Sequence, residues 1–474
     1  MKLVIAEKPS VAISIAKVIG VNKKKDGYYE GNGYRVSWCV GHLIQMANPD
    51  AYDEKYAKWN MADLPIIPSA YKYEVAKATK KQFNILKKLM NDKEIDTVIN
   101  ACDAGREGES IFRLVYNEAK CKKKMKRLWI SSMEDSAIKE GFDNLKDGKV
   151  YDNLFESAQA RAIADWLVGM NISRLYSCLY KQNYSVGRVQ TPTLAMIVKR
   201  DDEIANFKKE KYYTVELSMN GFTLSTDRID DEVAAEQLIN LVGDKIEITD
   251  VIQKEKITNP DLPFDLTTLQ RECNKYFGYS AKQTLDYAQS LYEKKLITYP
   301  RTDSRCLTED MITSTINNIL GKNDFDTGRI KTVFNSKKVT DHHAIIPTIS
   351  SLKEDVSKLP LSEAKVYFLI SDKFHASVGY PLIENTTKIV ASFDGFEFTS
   401  SGKVIKDEGF SKYLKEYKSK KNEDAVLPNV SVGDVLSIEN KEIKEKFTKP
   451  PKHFTDVIFC ERKEWIGIEE RSSA

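Results

Sequence analysis

The pattern that constrains the fold most is the alternation of strand-like and helix-like stretches over the first 150 residues. The apolar run LVIA at 3–6 predicts a short strand, and Pro9 begins an amphipathic stretch to Ile19, because proline suits the first turn of a helix. A second apolar run at 96–103 leads through a polar loop into another helical pattern. Strands that alternate with helices predict a parallel sheet.

The rest of the chain divides into helical and strand-like stretches. Residues 151–205 place apolar side chains at three- and four-residue spacing, which predicts helices. Strand-like alternation follows over 206–260 and returns over 385–449, whereas 261–384 shows helical spacing again. We therefore predict a mixed α/β multidomain protein, with an α/β domain at 1–150, a helical part, and a β-rich unit interrupted by a helical insertion.

The charge balance alone does not identify a nucleic-acid binder, because the formal net charge is only +3. Basic residues are instead concentrated in runs at 23–25, 122–127, 418–421 and 441–452. Such runs are usually solvated surface, so each of them is a weak candidate for contact with DNA.

Cysteine usage and hydropathy indicate the compartment. The seven cysteines are scattered and form no C-x-x-C pair, which argues against a zinc ribbon or a disulfide framework. The first residues, MKLVIAEKPS, include charges at positions 7 and 8 and cannot form the apolar core of a signal peptide. No stretch approaches the roughly 18 uninterrupted apolar residues of a membrane helix. We therefore expect a cytoplasmic protein that does not associate with a membrane.

Charged side chains follow both predicted strands of the first domain. Glu7 and Lys8 stand where the first strand ends, and Asp103 and Glu107 stand just beyond the second. Ligands of open parallel sheets gather at the carboxyl ends of strands, and carboxylates suit Mg²⁺, which keeps several of its waters. The plainer explanation is that these acids cap the following helices. The combination predicts an oxygen-rich site suited to Mg²⁺.

The segment LITYPRTDS at 296–304 contains a tyrosine and an arginine two residues apart. A phenol with a pKa of about 10 is a poor nucleophile at neutral pH unless cations stabilise its phenolate. Residues two apart in an extended segment share a face, so Arg301 would lie beside Tyr299 and could also bind phosphate through its planar guanidinium. This context makes Tyr299 a candidate nucleophile, although the chain has 23 tyrosines.

Two further segments have unusual composition. DHHAIIPT at 341–348 holds two of the five histidines of the chain, and a histidine that lines the core explains it equally well on local sequence alone. SVGRVQT at 185–191 contains a turn of small residues that allows close approach to the backbone. Its Arg188, Gln190 and Thr191 could contact phosphate without reading base sequence, unless the segment only carries solvated side chains.

Taken together, these segments resemble the type IA DNA topoisomerases of the topoisomerase III kind. The pair E-K and D-x-x-R-E-G-E resembles the Toprim domain, Y-P-R-T-D resembles the nucleophile segment, and H-x-A-I-x-P-T resembles the segment whose histidine contacts the scissile phosphate. G-R-V-Q-T-P-T and D-W-L-x-G-x-N-x-x-R are similar to the groove that binds single strands. The segments follow one another in family order over residues 1–350.

The resemblance implies roles for the matching positions. Tyr299 would be the nucleophile and Glu7 the general acid and base, while Lys8, Arg301 and His342 would stabilise charge on the phosphate. The implied metal ligands are Glu7, Asp103 and Glu107. The implied DNA-binding residues are Arg161, Arg174, Ser185, Val186, Gly187, Arg188, Val189, Gln190 and Thr191.

One position departs from the usual Toprim signature D-x-D-x-E. Gly105 stands where that signature has its second aspartate. We therefore expect a weaker Mg²⁺ site, or one metal ion rather than two, with Glu109 as a partial substitute for the missing carboxylate.

The resemblance also implies an architecture and a reaction. A Toprim domain at 1–150, a helical DNA-binding base at 151–205, a β-rich arch at 206–260 and 385–449, and a helical domain with the tyrosine at 261–384 would form a ring. The enzyme would cleave and reseal one DNA strand without ATP, through a 5′-phosphotyrosine, and so relax or decatenate DNA. Its partners would be single-stranded DNA or single-stranded regions of supercoiled DNA, with a helicase as a protein partner and a monomeric state. Activity on RNA is left open.

Three other interpretations are consistent with part of the sequence. A Toprim nuclease or primase would share the first site but has no reason to contain Y-P-R-T-D, and a type II topoisomerase would need a partner ATPase. The third is a truncated, catalytically impaired remnant that binds single-stranded DNA. It is motivated by the end of the chain, where VIFCERKEWIGIEERSSA follows PPK-x-F-T and leaves the helical base, at 450–474, incomplete.

Overall fold

The computed structural model describes residues 1–321, 325–339, 341–417 and 427–455. The basic run predicted at 418–421 and the unusual segment from 456 to 474 lie outside these residues. Of the described helices, none is long and apolar enough to cross a membrane.

The first 150 residues form a seven-stranded sheet with helices and a small second sheet. The strands are β1 (Lys2–Ala6), β2 (Lys23–Lys25), β3 (Tyr28–Gly31), β4 (Tyr34–Trp38), β5 (Ile44–Met46), β6 (Tyr73–Val75), β7 (Thr97–Ala101), β8 (Lys124–Arg127) and β9 (Lys146–Asp147). The helices are α1 (Pro9–Val18), α2 (Lys80–Asn91), α3 (Arg106–Glu118) and α4 (Asp135–Asp143). The strand order is β2-β3-β4-β1-β7-β8-β9, and β5 pairs with β6.

The predicted parallel sheet is present at the centre of this domain. Strands β4, β1, β7 and β8 run parallel, and Leu3 to Ala6 of β1 are fully buried, as expected for a strand covered by helices on both faces. The prediction was incomplete at the edges, where β2, β3 and β9 pair antiparallel. Short turns join β2 to β3 and β3 to β4, whereas α4 lies between β8 and β9. The edge strands β2, β3 and β9 are only two to four residues long, too short for a sequence pattern to reveal them.

The helical stretch predicted at 151–205 consists of two helices. Helix α5 (Asp152–Tyr180) ends at Lys181, which adopts a left-handed backbone conformation with φ of 54°. Helix α6 (Gln190–Ala205) begins after a loop at 181–189. The SVGRVQT segment therefore forms the connection into α6 and the first residues of that helix.

The β-rich unit is a six-stranded antiparallel sheet. Its elements are β10 (Lys211–Met219), β11 (Phe222–Thr226), α7 (Glu232–Leu241), β12 (Lys245–Glu247), β13 (Asp250–Thr258), β14 (Leu382–Phe393), β15 (Phe396–Asp407), β16 (Val435–Ser437) and β17 (Asn440–Phe447). The order is β13-β14-β15-β11-β10-β17, with β12 and β16 paired separately. Helix α7 was not predicted; Asp231 caps its first turn by accepting a hydrogen bond from the Val233 amide.

The helical insertion lies between β13 and β14. It contains α8 (Leu266–Phe277), α9 (Ala281–Glu293), α10 (Ile312–Thr315), α11 (Thr327–Val333) and α12 (Leu361–Ser377). Side-chain caps begin the first two: Asp265 and Ser280 each accept a hydrogen bond from the backbone three residues on.

A single apolar core joins the insertion to the first sheet. Val4 and Ile99 of the sheet belong to the same buried cluster as Leu269, Ile297 and Tyr299 of the insertion. Burial of this shared surface holds the tyrosine segment against the carboxyl edge of the first sheet.

Candidate active site

Strand pairing brings two carboxylates to one edge of the first sheet. Glu7 directly follows β1 and Asp103 lies two residues beyond β7, and these neighbouring parallel strands end in register, with Ala6 opposite Ala101. The sequence prediction that both strand ends face a common site therefore agrees with the sheet order.

The two carboxyl groups disfavour each other's ionisation. Burial raises the pKa of Glu7 from 4.5 to about 7, and the charge of Asp103 raises it as well, against the opposing effect of Lys8. Burial also raises the pKa of Asp103 above its ordinary value, while Lys8 and Arg301 oppose that shift. A carboxyl group with a pKa near neutrality can both donate and accept a proton at working pH.

Tyr299 reaches this carboxylate pair from the insertion. Its hydroxyl donates a hydrogen bond to Asp103 Oδ2 at 3.4 Å, and its backbone amide donates to the Ser131 carbonyl at 3.0 Å. The ring packs edge-on against Tyr292, with centroids 5.2 Å apart. Burial and the Asp103 charge raise the pKa of Tyr299 well above 10, so the phenol carries its proton in this state.

Arg301 lies beside Tyr299, as the two-residue spacing predicted, but its partner is Glu107. The guanidinium contacts Glu107 Oε2 at 3.0 Å, and His42 Nε2 lies 3.6 Å from the other oxygen of that carboxylate. The hydrogen bond with His42 lowers the pKa of Glu107. Glu107 is therefore ionised and directed toward two basic side chains.

In this orientation Glu107, one of the three predicted metal ligands, contacts Arg301 and His42. Within the part of the chain that the structure describes, no group of three or more His, Cys, Asp or Glu side chains is spaced to hold a metal ion. The buried, mutually repelling Glu7 and Asp103 do fit a cation, since Mg²⁺ is commonly held by one or two carboxylates together with phosphate oxygens. Glu107 would have to leave Arg301 before it could contribute.

The proposed substitute, Glu109, does not face the site. Its side chain is 1% exposed and contacts Arg113 at 2.8 Å and Arg127 at 3.1 Å, because helical geometry turns it toward the interior. Arg127 also donates to the carbonyls of Cys102 and Asp103 at 2.7 Å each. Arg127 and Glu109 therefore support the loop that carries Asp103, a function that the sequence analysis missed.

Lys8 is held by a residue that the sequence analysis did not select. Its ammonium lies 3.1 Å from Glu293 Oε1 at the end of α9, and Ser10 and Gln289 donate to the same carboxylate at 2.9 and 3.1 Å. Nothing in the local sequence distinguishes Glu293 from a solvated helix-end acid, because Lys8 and Ser10 lie 285 and 283 residues away in the chain.

His342 lies against Tyr299 but is uncharged. The ring centroids are 4.5 Å apart, and the His342 ring also stacks on Trp129. Nδ1 is 2.9 Å from the Ser131 hydroxyl, and Nε2 contacts the Ala104 carbonyl. Burial lowers the pKa of His342 to about 4, so an imidazolium that stabilises phosphate charge is not what this state contains. A neutral Nε2–H remains able to donate a hydrogen bond.

The predicted DNA-binding residues fall into two groups. In the loop before α6, the Ser173 hydroxyl accepts from the Val186 amide at 2.9 Å, and Gln190 donates to Ser185 at 2.8 Å. Arg188 contacts Asp165 at 2.6 Å, and Arg161 lies 4.0 Å from the same carboxylate. The remaining residues of the set, Gly187, Val189 and Thr191, lie in or directly after this loop.

Arg174 does not lie with this group. It is 5% exposed, donates to the Tyr56 carbonyl at 2.8 Å, and its guanidinium lies 5.3 Å from the centre of the Trp59 ring. The guanidinium of Arg174 is turned toward Tyr56 and Trp59, so the predicted contact with phosphate would require it to leave these groups.

Comparison with known proteins agrees with this geometry. Residues 2–133 match the Toprim domain family and residues 149–461 match the family described as DNA topoisomerase. The chain belongs to the type IA DNA topoisomerase family. It is 40% identical to DNA topoisomerase 3 of Bacillus licheniformis over 96% of this chain and 66% of that protein, and 39% identical to DNA topoisomerase 3 of Bacillus subtilis with the same coverage.

The relatives are longer than this chain, which spans 66% of the length of both Bacillus proteins. The solved structure of full-length topoisomerase I from Thermotoga maritima has the same fold, with a TM-score of 0.77 at 23% identity. That similarity covers 99% of this chain and 77% of the other.

The raised pKa of Glu7 predicts a dependence of stability on pH. Ionising Glu7 costs free energy in the folded protein, so its contribution to stability is lost as pH rises from 4.5 to about 7. At pH 8 without divalent cations, Glu7→Gln should therefore increase the free energy of unfolding by up to about 3 kcal/mol and raise the melting temperature. Near pH 4 the substitution should have little effect. Thermal melts at both pH values check this, with the exposed Glu397→Gln as control. An equal effect at both pH values would contradict it.

Close packing around Asp103 predicts that Gly108 cannot be replaced. A Cβ at position 108 would lie 2.1 Å from the Asp103 carbonyl oxygen, whereas one at Gly105 would meet nothing within 4 Å. Gly108→Ala should displace Asp103 and reduce covalent DNA adduct formation by about ten- to a hundredfold, because small displacements of reacting groups are costly. Gly105→Ala is the matched control, since its extended backbone accepts any residue. Equal adduct yields from both variants would refute the argument.

Proposed function

We propose that this chain cleaves and reseals one strand of DNA without ATP, through a covalent link between Tyr299 and a 5′ phosphate. The observation that carries the proposal is the hydroxyl of Tyr299, which lies 3.4 Å from Asp103 beside Glu7, whose pKa is about 7. A nucleophile, a proton acceptor and an acid thus occupy one buried site.

In cleavage, the Tyr299 oxygen attacks the phosphorus and the bond to the 3′ oxygen breaks. Asp103 accepts the phenolic proton, because it already receives that hydrogen bond. Glu7, which is substantially protonated at neutral pH, donates a proton to the departing 3′ oxygen. Resealing is the reverse transfer, with Glu7 as base. The phosphotyrosine preserves the energy of the broken bond, so no nucleotide is required.

Charge on the phosphate is stabilised by side chains that now bind other protein groups. Arg301 would exchange Glu107 for a phosphate oxygen, Lys8 would exchange part of its contact with Glu293, and the Nε2–H of His342 would leave Ala104. These groups stabilise the charge that develops during transfer. A Mg²⁺ ion, when bound by Glu7 and Asp103, would relieve their repulsion and position the strand ends for resealing.

The proposed substrate is single-stranded DNA or a single-stranded region of supercoiled DNA, bound by Arg161 and by the loop from Ser185 to Thr191. Relaxation and decatenation by the whole protein, action as a monomer, cooperation with a helicase and a cytoplasmic location are parts of the same proposal. They rest on the family and on the relatives named DNA topoisomerase 3.

The assignment of Tyr299 as the nucleophile can be tested with Tyr292, whose ring packs against it, as the control. Labelled single-stranded oligonucleotide should form a denaturation-resistant adduct with the native chain and with Tyr292→Phe, but not with Tyr299→Phe, because the Tyr299 hydroxyl contacts Asp103. Peptide mapping of the adduct locates the label. An adduct that survives in Tyr299→Phe would show that the nucleophile is misassigned. An adduct without plasmid relaxation would restrict the proposal to the cleavage chemistry.

The glycine in the Toprim signature predicts that Mg²⁺ is bound weakly. A side chain at position 105 has free space around its Cβ, so Gly105→Asp should add a carboxylate near the site and lower the Mg²⁺ concentration needed for resealing several-fold. Religation of a preformed adduct, titrated with Mg²⁺, measures this midpoint. Gly105→Asn matches the size without the charge and should behave as the native chain. Equal midpoints for native chain and Gly105→Asp would contradict the prediction.

A further inference from the structure

Three tyrosine rings form an exposed row at the carboxyl end of α5. Tyr176 and Tyr180 stack with centroids 6.0 Å apart and planes 10° from parallel, and Tyr184 packs edge-on against Tyr180 at 5.6 Å. These side chains are 43%, 61% and 42% exposed. Large aromatic rings exposed together on one surface are a feature of binding sites rather than of ordinary solvated surface.

An open pocket of about 760 Å³ lies beside this row, which we call the tyrosine row. Trp59 and Met61, both close to half exposed, line one wall, and Ser177, Lys181 and Gln182 line the other. Ser177 and Lys181 are one helical turn apart, as are Tyr176 and Tyr180, so the pocket and the tyrosine row occupy adjacent faces of the same helix end. The volume is within the usual range for a small-molecule site.

The tyrosine row is continuous with the proposed DNA-binding loop. Tyr184 directly precedes Ser185, and the Ser177 hydroxyl accepts from the Tyr184 amide at 2.9 Å. The guanidinium of Arg174 lies against the Trp59 ring and so positions the opposite wall of the pocket. A strand bound along the loop would therefore reach the tyrosine row without leaving the surface of α5.

We propose that the carboxyl end of α5 binds bases of single-stranded DNA beyond the phosphate-contacting loop. One base occupies the pocket between Trp59 and Lys181, and its neighbours stack on the tyrosine row. This inference rests on the proposed function and extends its substrate site. Aromatic rings and a basic groove are the combination that binds single strands without sequence preference.

The chemistry of the surface favours bases over an apolar protein segment. The exposed rings carry hydroxyl groups, and the pocket wall includes the amide of Gln182 and the ammonium of Lys181, which suit base edges and phosphate.

The test uses the complete chain and a fluorescent single strand of about 20 nucleotides, long enough to pass the loop and the tyrosine row. Tyr180→Leu retains apolar bulk but removes the ring, and should weaken binding about tenfold, the order expected for loss of stacking. Tyr180→Phe retains the ring and should bind within about twofold of the native chain. Because Tyr180 is 61% exposed, neither variant should affect folding.

An abasic scan then locates the bases concerned. An abasic position that contacts the tyrosine row should weaken binding to the native chain, and Tyr180→Leu should add no further loss at that position, since both changes remove one interaction. If Tyr180→Leu bound every oligonucleotide as tightly as the native chain does, that result would overturn the inference. So would a lower melting temperature of Tyr180→Leu with unchanged affinity, because that result would show that protein covers the ring.

The experiments distinguish failure of the base-binding proposal from failure of the proposed cleavage function. Tyr299-dependent adduct formation, measured on the same variants, reports the proposed function. Adducts that form normally while Tyr180→Leu binds as the native chain would remove the stacking site alone, whereas absence of adduct from the native chain would remove the function itself.

Discussion

The repulsion between Glu7 and Asp103 is the interaction on which the rest of the site depends. Parallel pairing of β1 with β7 places both carboxyl groups at one buried edge, where neither ionises readily. Nearby groups partly offset that repulsion. The positive charges of Lys8 and Arg301 lower the pKa of Asp103, and Tyr299 donates a hydrogen bond to its carboxylate. The network of Arg127 and Glu109 holds the Asp103 loop from behind. A site of this kind lowers stability in order to keep an acid near neutral pKa.

Several of the proposed catalytic side chains contact other protein groups in this structure. Arg301 is paired with Glu107, Lys8 with Glu293, and both ring nitrogens of His342 have partners. Leaving such groups unpaired in a buried site would be costly, so these contacts stabilise the protein before DNA binds. The proposed reaction requires each of them to be exchanged for a contact with phosphate.

The sequence predicted what depends on local patterns and on the family resemblance. Apolar runs defined β1 and β7, and the residues that follow them reached the site, because chain direction in a parallel sheet determines which ends meet. Partners distant in the chain were not predictable: Glu293 reads as a solvated acid until α9 packs beside Lys8. Arg174 shows the converse, since the motif that selected it does not reveal that its guanidinium turns inward against Trp59.

The shared apolar core also sets the free-energy cost of separating the tyrosine segment from the Toprim domain. Tyr299 belongs to an apolar cluster that continues into the first sheet, so moving the tyrosine segment away exposes apolar surface along with breaking hydrogen bonds. Some polar contacts at the same boundary, such as Lys295 with Asp135 and Ser350 with Glu134, lie toward the surface, where water can replace them at little cost. The contacts of His342 with Ser131 and Ala104 are less exposed, so breaking them adds to the cost of exposing the apolar surface. A single strand held on both sides of the cut, covalently by Tyr299 and non-covalently along α5, would let the boundary open without release of DNA.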